Sequence, residues 1–304
     1  MSETVAVEVE GRTLRLSNLD KVLYPEIGLT KGEIIHYYTA VAPVLLPHLA
    51  GRPLTVKRYP NGVDGMFFFE KNASRGKPDW VRTERLPAPG STKNRDEIDY
   101  IVVEELATLV WLANLAALEL HTPQWKVGPR GGVHGADQLV LDLDPGAPAA
   151  IGECCRVALL LRDALVADGL DPVAKTSGSK GLQVYAAVAE TPAERTSAYA
   201  HELARGLEAE HPDLVVSRMT RALRPGKVLV DWSQNNAAKT TVSVYSLRAR
   251  PTATVSCPVT WDEVEAGADG TPLSFTPADV LGRIADGDLF APLLGTKRPP
   301  LRHR

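Results

Sequence analysis

Short segments in which hydrophobic and polar positions alternate predict a chain rich in β-strands. The first of these, residues 4–16, is long enough for two strands that turn at Gly11. A Pro-Asn-Gly turn at residues 60–62 separates the next two strands. The further predicted strands are residues 54–59, 65–70, 138–144, 182–188, 228–232 and 240–245.

Apolar residues at helical spacing, preceded by capping signals, predict the helices. Thr30 and Glu33 form a capping box ahead of an apolar series that includes Ile34 and Tyr38, and Pro43 is expected to kink this helix or to end it early. Further helices are predicted at residues 104–120, at 152–168, and after the capping residues Thr191, Thr260 and Thr276. This mixture indicates an α/β or α+β chain with one compact core and a single domain over residues 1–304.

The composition excludes several classes of protein. With 304 residues, 44% of them hydrophobic and 23% charged, the chain is typical of a globular domain and not of a disordered one. Its longest apolar run, residues 106–118, is too short to span a membrane, and no secretory signal is visible. Cys154, Cys155 and Cys257 fit neither a disulfide framework nor a zinc site. We therefore expect a cytoplasmic protein with no membrane partner.

The charge distribution favours anion binding by a few local basic residues over attraction of an anion by the total charge of the protein. The net charge of −3 argues against binding nucleic acid through total charge alone. Locally, however, Arg218, Arg221, Arg224 and Lys227 lie within ten residues that contain no acid. Such a cluster is either a solvated face or a place that holds an anionic ligand at a few points.

Two predicted strands carry acidic side chains near their ends. Asp142 and Asp144 point to one face of their strand and the neighbouring leucines point to the other, because side chains alternate along a strand. Asp231 lies near the end of the strand at residues 228–232, on the face opposite the valines and just before a polar turn. Neighbouring carboxylates repel one another unless a cation lies between them, and oxygen ligands suit Mg²⁺ or Mn²⁺. The three acids are therefore either a two-metal site for phosphoryl or nucleotidyl transfer or solvated acids at strand ends.

A glycine-rich segment precedes the strand at residues 182–188. Ser177, Gly178, Ser179, Lys180 and Gly181 combine two glycines, which let backbone N–H groups approach an anion, with two hydroxyls and a positive charge. The glycine spacing and the strand that follows distinguish the segment from a Walker A loop. It is either a phosphate-binding loop or a turn with a solvated lysine.

Together these segments resemble one family, the polymerase domain of the bacterial non-homologous end-joining ligase D, within the archaeo-eukaryotic primase superfamily. The resemblance covers roughly residues 13–250, and it is specific because many motifs occur in one order. The matching segments are DKVLYP at 20–25, RYPNGVD at 58–64, FFEK at 68–71, HTPQW at 121–125, LDLDPG at 141–146, TSGSKGL at 176–182, VDWSQN at 230–235 and YSLR at 245–248.

The resemblance implies a role for each matching residue. It makes Asp142, Asp144 and Asp231 the catalytic metal ligands, with two ions of Mn²⁺ or Mg²⁺ and a nucleoside triphosphate as substrate. The residues that it places at the nucleotide are Lys57, Phe68, Phe69, His121, Ser177, Lys180, Gln183, Gln234 and Arg248. Without the family resemblance, His121, Phe68 and Phe69 would be interpreted as core residues. The fold implied is a primase-like core of antiparallel or mixed sheets, flanked by helices around a central cleft.

The resemblance also implies DNA as a partner. Asn18, Lys21 and Lys31 match the pocket that holds the 5′-phosphate of a downstream DNA strand. Lys31 and Gly32 open a capped helix as well, and we expect its free N–H groups and positive dipole end to attract phosphate. Residues of about 1–125 would form the part that binds DNA ends, and residues of about 126–304 the catalytic core.

The function expected from this resemblance is the addition of ribo- or deoxyribonucleotides to a DNA 3′-hydroxyl, during gap filling and double-strand break repair by non-homologous end joining. The partners would be DNA ends, gapped DNA with a 5′-phosphate, and nucleoside triphosphates. Without a ligase or nuclease segment the chain is expected to be a free-standing polymerase domain, with a separate DNA ligase and the end-binding protein Ku, in the bacterial cytoplasm at the nucleoid.

One departure from the family keeps an alternative open. Gln183 stands where the family usually has a histidine that contacts the nucleotide phosphates, and glutamine never carries charge. The first alternative is therefore a catalytically weak module that binds DNA ends and 5′-phosphates. The second is another Asp-x-Asp enzyme, such as a glycosyltransferase or a phosphatase, although this leaves Lys21 and Lys31 unexplained.

Overall fold

The structure, a computed structural model, describes residues 4–74, 76–87 and 96–302. Its strands are β1 (Thr4–Val9), β2 (Arg12–Ser17), β3 (Val22–Tyr24), β4 (Leu29–Thr30), β5 (Pro53–Arg58), β6 (Phe68–Glu70), β7 (Thr83–Pro87), β8 (Glu97–Val102), β9 (Ala117–Thr122), β10 (Trp125–Val127), β11 (Val133–Pro145), β12 (Pro172–Thr176), β13 (Leu182–Thr191), β14 (Val215–Val216), β15 (Val228–Asp231), β16 (Thr241–Val242) and β17 (Pro258–Val259). Its helices are α1 (Lys31–Leu49), α2 (Leu106–Asn114), α3 (Ile151–Ala167), α4 (Ala193–Glu210), α5 (Trp261–Ala268) and α6 (Pro277–Arg283), with 3₁₀ helices at Arg221–Leu223, Trp232–Asn235, Ile284–Asp286 and Ala291–Leu294.

Two sheets dominate the architecture. The seven-stranded sheet has the order β14-β15-β11-β13-β12-β17, with β10 paired to β11, and only the β14–β15 pair in it is parallel. The six-stranded sheet has the order β16-β9-β5-β8-β7, with β6 paired to β5. Hairpins β1–β2 and β3–β4 complete the strands. The predicted mixed α+β fold with antiparallel and mixed sheets is confirmed.

The central strand β11 divides the hydrophobic interior. Leu139, Leu141 and Leu143 pack into a cluster with α3 and α4, whereas Val140 belongs to a second cluster with α1 and α2. Because both faces of this sheet are covered, the described residues form two large hydrophobic clusters and a small third one, instead of the single core expected from the sequence. The alternation along β11 leaves Asp142 and Asp144 on the face of Val140, beyond the end of that packing.

Helix α1 follows its predicted capping signal but not its predicted end. The Thr30 hydroxyl accepts from the Glu33 amide, and the Glu33 carboxylate accepts from the Thr30 amide. The helix continues through Pro43 to Leu49. Pro43 lies on the exposed side, where it removes one helix hydrogen bond, while buried residues before and after it hold the helix on the core. Predicted capping boxes also start α5 and α6.

Several further predicted elements differ from the structure. The helix expected at residues 104–120 ends at Asn114, and Ala117–Thr122 form β9, because a mostly apolar run does not distinguish a buried helix from a buried strand. Ala116, with φ +56°, makes the turn between them. Helix α4 begins one residue after Pro192, and Thr191, its expected cap, ends β13. The strand expected at 240–245 is the short β16.

Within the described residues, no helix combines the length and apolar character needed to cross a membrane.

Candidate active site

Three carboxylates meet where β11 and β15 run side by side. The two strands are antiparallel, with Asp142 directly opposite Asp231, and Asp144 lies two residues further along β11. One carboxylate oxygen from each residue lies within 4.8 Å of the other two. The sequence predicted that these acids would cluster if their strands were neighbours, and the pairing of β11 with β15 meets that condition.

The electrostatics of this cluster favour a bound cation. Burial, followed by the charges of Asp144 and Asp231, raises the pKa of Asp142 to about 7, although a hydrogen bond from Gln183 opposes this rise. Burial, followed by the charge of Asp231, also raises the pKa of Asp144. The donor set consists only of oxygen, which Mg²⁺ and Mn²⁺ prefer. The residues therefore fit a divalent cation, which would remove the mutual repulsion.

Two glutamine side chains hold two carboxylates of the cluster, those of Asp231 and Asp142. Gln234 donates from Nε2 to Oδ2 of Asp231 at 2.8 Å, and the Ser233 amide donates to Oδ1 at 2.9 Å. Gln183, which is 3% exposed, donates from Nε2 to Oδ1 of Asp142 at 3.0 Å. Both glutamines thus orient acids of the cluster.

The glycine-rich loop 177–181 closes one side of the cluster. Gly178 has φ +65°, and a Cβ there would lie 2.6 Å from Cγ of Arg248. The Ser177 hydroxyl accepts from the backbone amides of Ser179 and Gly181 at 3.2 Å each. These two amides therefore bond inside the loop, whereas the sequence had led us to expect amides that are free to bind an anion. Lys180 is exposed on the loop.

A cleft of about 290 Å³ lies between the two sheets at this point. Its lining includes residues from β9 and β16 of one sheet and from β11 and β13 of the other. Eight of the residues predicted as ligands of a metal or nucleotide line it, namely His121, Asp142, Asp144, Ser177, Lys180, Gln183, Gln234 and Arg248. The remaining lining residues are Pro145, Ser179, Thr240, Thr241 and Val242.

Lys57 and the two predicted phenylalanines lie beside this cleft and not in its lining. The Lys57 ammonium lies 4.5 Å from the ring centre of Phe67 and 5.3 Å from that of Phe69, a cation–π arrangement. The Phe69 ring meets His121 edge-on at 6.4 Å. Phe68 and Phe69 are about half exposed, so neither is the core residue that the sequence alone would suggest.

Comparison with known proteins identifies the family. The model of the LigD primase-polymerase domain matches residues 30–290. The multifunctional non-homologous end joining protein LigD of Mycolicibacterium smegmatis is 43% identical over 284 residues, which is 92% of this chain and 36% of that protein. The bifunctional LigD of Bacillus subtilis is 32% identical over 89% of this chain and 42% of that protein. This chain belongs to the LigD primase-polymerase family.

The fold agrees with that assignment. The polymerase domain of Mycobacterium tuberculosis ligase D, solved in complex with DNA, superposes with a TM-score of 0.87 at 42% identity, covering 92% of this chain and 98% of that one. This chain spans about a third of the length of the Mycolicibacterium smegmatis LigD protein that it matches. The predicted resemblance to this family is confirmed.

The residues that the LigD resemblance places at a DNA 5′-phosphate divide into two groups. Asn18 and Lys21 line a cavity of about 500 Å³ with Val5, Leu19 and Asp20. Lys21 donates from Nζ to the Pro60 carbonyl oxygen at 2.6 Å and to Oδ1 of Asn61 at 3.1 Å.

The third residue, Lys31, is buried and is not among the described residues that line that cavity. Its ammonium donates to the Asn114 carbonyl oxygen at 2.9 Å, and burial followed by the charge of Lys21 lowers its pKa. The expectation of free amides at the start of α1 is wrong. The Lys31 and Gly32 amides donate to the carbonyl oxygens of Lys21 and Leu19, because the preceding segment folds back over the helix end.

Sequence reasoning missed two buried polar residues of this LigD-like site. Glu119 lies in the segment predicted to be helical, but on β9 its carboxylate contacts Lys57, His121 and Arg248. Lys175 precedes the glycine-rich loop and is buried beside Gln183. A charged residue inside an otherwise apolar run was the available signal for Glu119; Lys175 gave none, because its partners are distant in sequence.

Proposed function

We propose that this chain transfers nucleotides from ribo- or deoxyribonucleoside triphosphates to the 3′-hydroxyl of DNA, in gap filling and end joining. The observation that carries this proposal is the trio of carboxylates within 4.8 Å of one another, beside the basic residues Lys180 and Arg248. Membership in the LigD primase-polymerase family supports the same chemistry. We propose both template-dependent addition and terminal transfer of nucleotides.

Asp142, Asp144 and Asp231 would hold two divalent ions, Mn²⁺ or Mg²⁺. When bound, such ions lower the pKa of an attacking hydroxyl and neutralise a leaving pyrophosphate. In the reaction, the 3′-oxygen bonds to the α-phosphorus, the bond to the bridging oxygen of pyrophosphate breaks, and the hydroxyl proton passes to water beside the exposed Asp144.

The basic residues of the cleft would position the triphosphate. Arg248 donates from Nη1 to the Ser177 carbonyl oxygen at 2.5 Å, so its guanidinium is anchored on the glycine-rich loop beside Lys180. Two cations on one wall can meet the charge that develops on pyrophosphate without rearrangement. The exposed Phe68 and Phe69 offer rings on which bases stack, a contact that tolerates any base.

DNA ends and gapped DNA would be the polymeric partners. The structural relative was solved in complex with DNA. Asn18, Lys21 and Lys31 would recognise the downstream 5′-phosphate, and residues of about 1–125 would form the end-binding part. We further propose that a DNA ligase and Ku act with this chain in the bacterial cytoplasm, at the nucleoid.

The proposal is tested by primer extension on a gapped duplex that carries a downstream 5′-phosphate. Ribo- and deoxyribonucleotides are compared, each with Mn²⁺ or Mg²⁺. Extension should occur in the wild type and in Asp163→Asn, an exposed acid of α3, and should be lost in Asp142→Asn. No extension by the wild type, with gapped DNA still bound, would refute catalysis and leave a module that binds ends.

The 5′-phosphate pocket is tested separately. Lys21→Met should reduce the preference for gapped DNA with a 5′-phosphate over the same DNA with a 5′-hydroxyl, because the ammonium lining the cavity is removed. Lys297→Met, at an exposed lysine near the chain end, is the matched control. An unchanged preference in Lys21→Met would contradict the assignment.

A further inference from the structure

Four side chains form one row across neighbouring strands of the seven-stranded sheet. Lys175 on β12 lies directly opposite Gln183 on β13, Gln183 lies opposite Asp142 on β11, and Asp142 lies opposite Asp231 on β15. Residues directly opposite each other in a sheet point to the same face. A buried cation, a neutral amide and two carboxylates therefore follow one another in that order.

The ammonium of Lys175 has every proton engaged. Its side chain is 1% exposed, and Nζ donates to Oε1 of Gln183, to the Val242 carbonyl oxygen at 3.0 Å and to the Ser256 hydroxyl at 2.7 Å. The Ser256 hydroxyl donates onward to the Thr176 carbonyl oxygen, so it accepts from Lys175. An ammonium has three donors and no acceptor, and here all three donors are satisfied.

This arrangement fixes which way the Gln183 amide faces. Burial lowers the pKa of Lys175 to about 7, and the charge of Asp142 opposes that shift. In its ammonium form Lys175 can only donate, so the carbonyl oxygen Oε1 of Gln183 must point toward it. The NH₂ group of the amide then points to Asp142, where Nε2 donates to Oδ1 at 3.0 Å. If the amide turned over, it would bring an NH₂ group against the ammonium and an oxygen against the carboxylate. Two unfavourable contacts thus oppose the wrong orientation.

We propose that Lys175 is a positioning residue of the metal site and acts through Gln183 to hold the Asp142 carboxylate in place. This inference rests on the proposed function, since it concerns the metal ligands of that reaction. Residues that orient metal ligands from outside the ligand set commonly change metal affinity by about 10- to 100-fold when they are removed. Lys175 itself is not among the described residues that line the cleft.

A positioning role and a simple charge effect predict opposite signs. The charge of Lys175 also lowers the pKa of Asp142, so the comparison is made at a pH where that carboxylate is ionised in both proteins. There, removing a cation that acted only through its charge would leave metal binding unchanged or tighten it, because a cation repels a divalent ion. If Lys175 acts by fixing the Gln183 amide, its removal frees the amide to turn and weakens metal binding. The sign of the change in Lys175→Met therefore decides between the two.

The same argument predicts which contacts a histidine at position 183 of this chain would make. A neutral imidazole has one nitrogen that accepts and one that donates. It could accept from Lys175 and donate to Asp142, as the Gln183 amide does here. Gln183→His is therefore the conservative variant that should preserve metal affinity, whereas Gln183→Leu removes both contacts at similar volume.

The experiment measures Mn²⁺ dissociation from the nucleotide-free protein, by the electron paramagnetic resonance signal of free Mn²⁺. Lys175→Met and Gln183→Leu should each weaken binding by about 10- to 100-fold. The double variant should be no weaker than Gln183→Leu alone, because both changes break one connection. Gln183→His should stay near the wild type, and so should Lys126→Met, a partly buried lysine paired with Asp137.

Several outcomes would overturn the inference. Unchanged or tighter Mn²⁺ binding in folded Lys175→Met would do so, as would additive losses in the double variant. If Lys175→Met does not fold, the nitrogen NMR spectrum of Gln183→His decides: one neutral tautomer supports the positioning role, and a mixture of tautomers refutes it. A wild type that binds no Mn²⁺ and adds no nucleotide would instead refute the proposed function, and this inference with it.

Discussion

The carboxylate of Glu119 lies 3.4 Å from Nε of Arg248, and its side chain is only 3% exposed. The same carboxylate accepts from Nε2 of His121 at 3.0 Å and lies 3.7 Å from Nζ of Lys57. Burial opposes its ionisation, but the hydrogen bond from His121 and the charges of Arg248, His121 and Lys57 outweigh burial and lower its pKa to about 2. One buried acid therefore orders three residues proposed to contact the nucleotide.

Glu119→Gln should weaken nucleotide binding more than it slows the chemical step. The variant keeps an acceptor of similar size but removes the charge that holds Lys57 and Arg248 in place. Hydrogen bonds to charged groups contribute about 1.5–3 kcal/mol, so KM for the nucleoside triphosphate should rise by about tenfold or more. Steady-state primer extension measures this, with Glu202→Gln in an exposed ion pair as control. A rise in KM equal to that of the control would contradict the role of Glu119.

Glu119 should also make the stability of the fold depend on pH. Its folded pKa of about 2 is below its ordinary value of 4.5, so its ionised form stabilises the fold above about pH 4.5, and this contribution is lost as the pH falls toward 2. The difference in unfolding free energy between the wild type and Glu119→Gln should therefore shrink over that range. Urea unfolding at several pH values checks it. A difference that stays constant as the pH falls would refute the assignment.

The carboxylate cluster predicts a different effect on stability. In the absence of divalent cations, Asp142→Asn should raise the melting temperature, because it relieves repulsion from Asp144 and Asp231 while the side-chain oxygen still accepts from Gln183. Added Mn²⁺ should stabilise the wild type and have little effect on the variant. Thermal unfolding with a chelator or with Mn²⁺ measures both, and Asp163→Asn is the control. A metal-free variant that melts below the wild type would argue against repulsion in the cluster.

The carboxylate cluster could be predicted from the sequence because part of its geometry is local. Alternation along one strand places Asp142 and Asp144 on the same face, and the position of Asp231 at a strand end suggested the third acid. The family resemblance then supplied the residues that the cleft brings together. Capping boxes were predicted correctly for the same reason, since their partners are three residues apart.

The supporting residues could not be predicted because distant packing determines them. The apolar run before Glu119 fits a helix and a buried strand equally well, and the turn at Ala116 decides between them. Lys175 is buried by Val242 and Ser256, which are 67 and 81 residues away. No local pattern distinguishes such a lysine from a solvated one.

The close contact of Gly178 with Arg248 gives a prediction about the glycine-rich loop. Gly178→Ala would impose a side chain at φ +65° and place its Cβ 2.6 Å from Cγ of Arg248 and 2.8 Å from the Val255 backbone. The left-handed conformation alone costs about 1–2 kcal/mol, and the contact must also displace Arg248 from the cleft wall. The variant should lose at least that stability and show a higher KM for the nucleotide.

Gly206→Ala on α4 is the matched control for this change. A Cβ at position 206 meets nothing within 4 Å, and alanine is the better helix former by about 1 kcal/mol, so this variant should be more stable than the wild type, with an unchanged KM. The two Gly→Ala changes thus have opposite expected signs, because one glycine is required by its backbone conformation and its neighbours and the other is not. Urea unfolding and primer extension measure both effects. A Gly178→Ala protein as stable and as active as Gly206→Ala would show that the loop tolerates a side chain at position 178. It would also show that the position of Arg248 in the cleft does not depend on the close approach of Gly178.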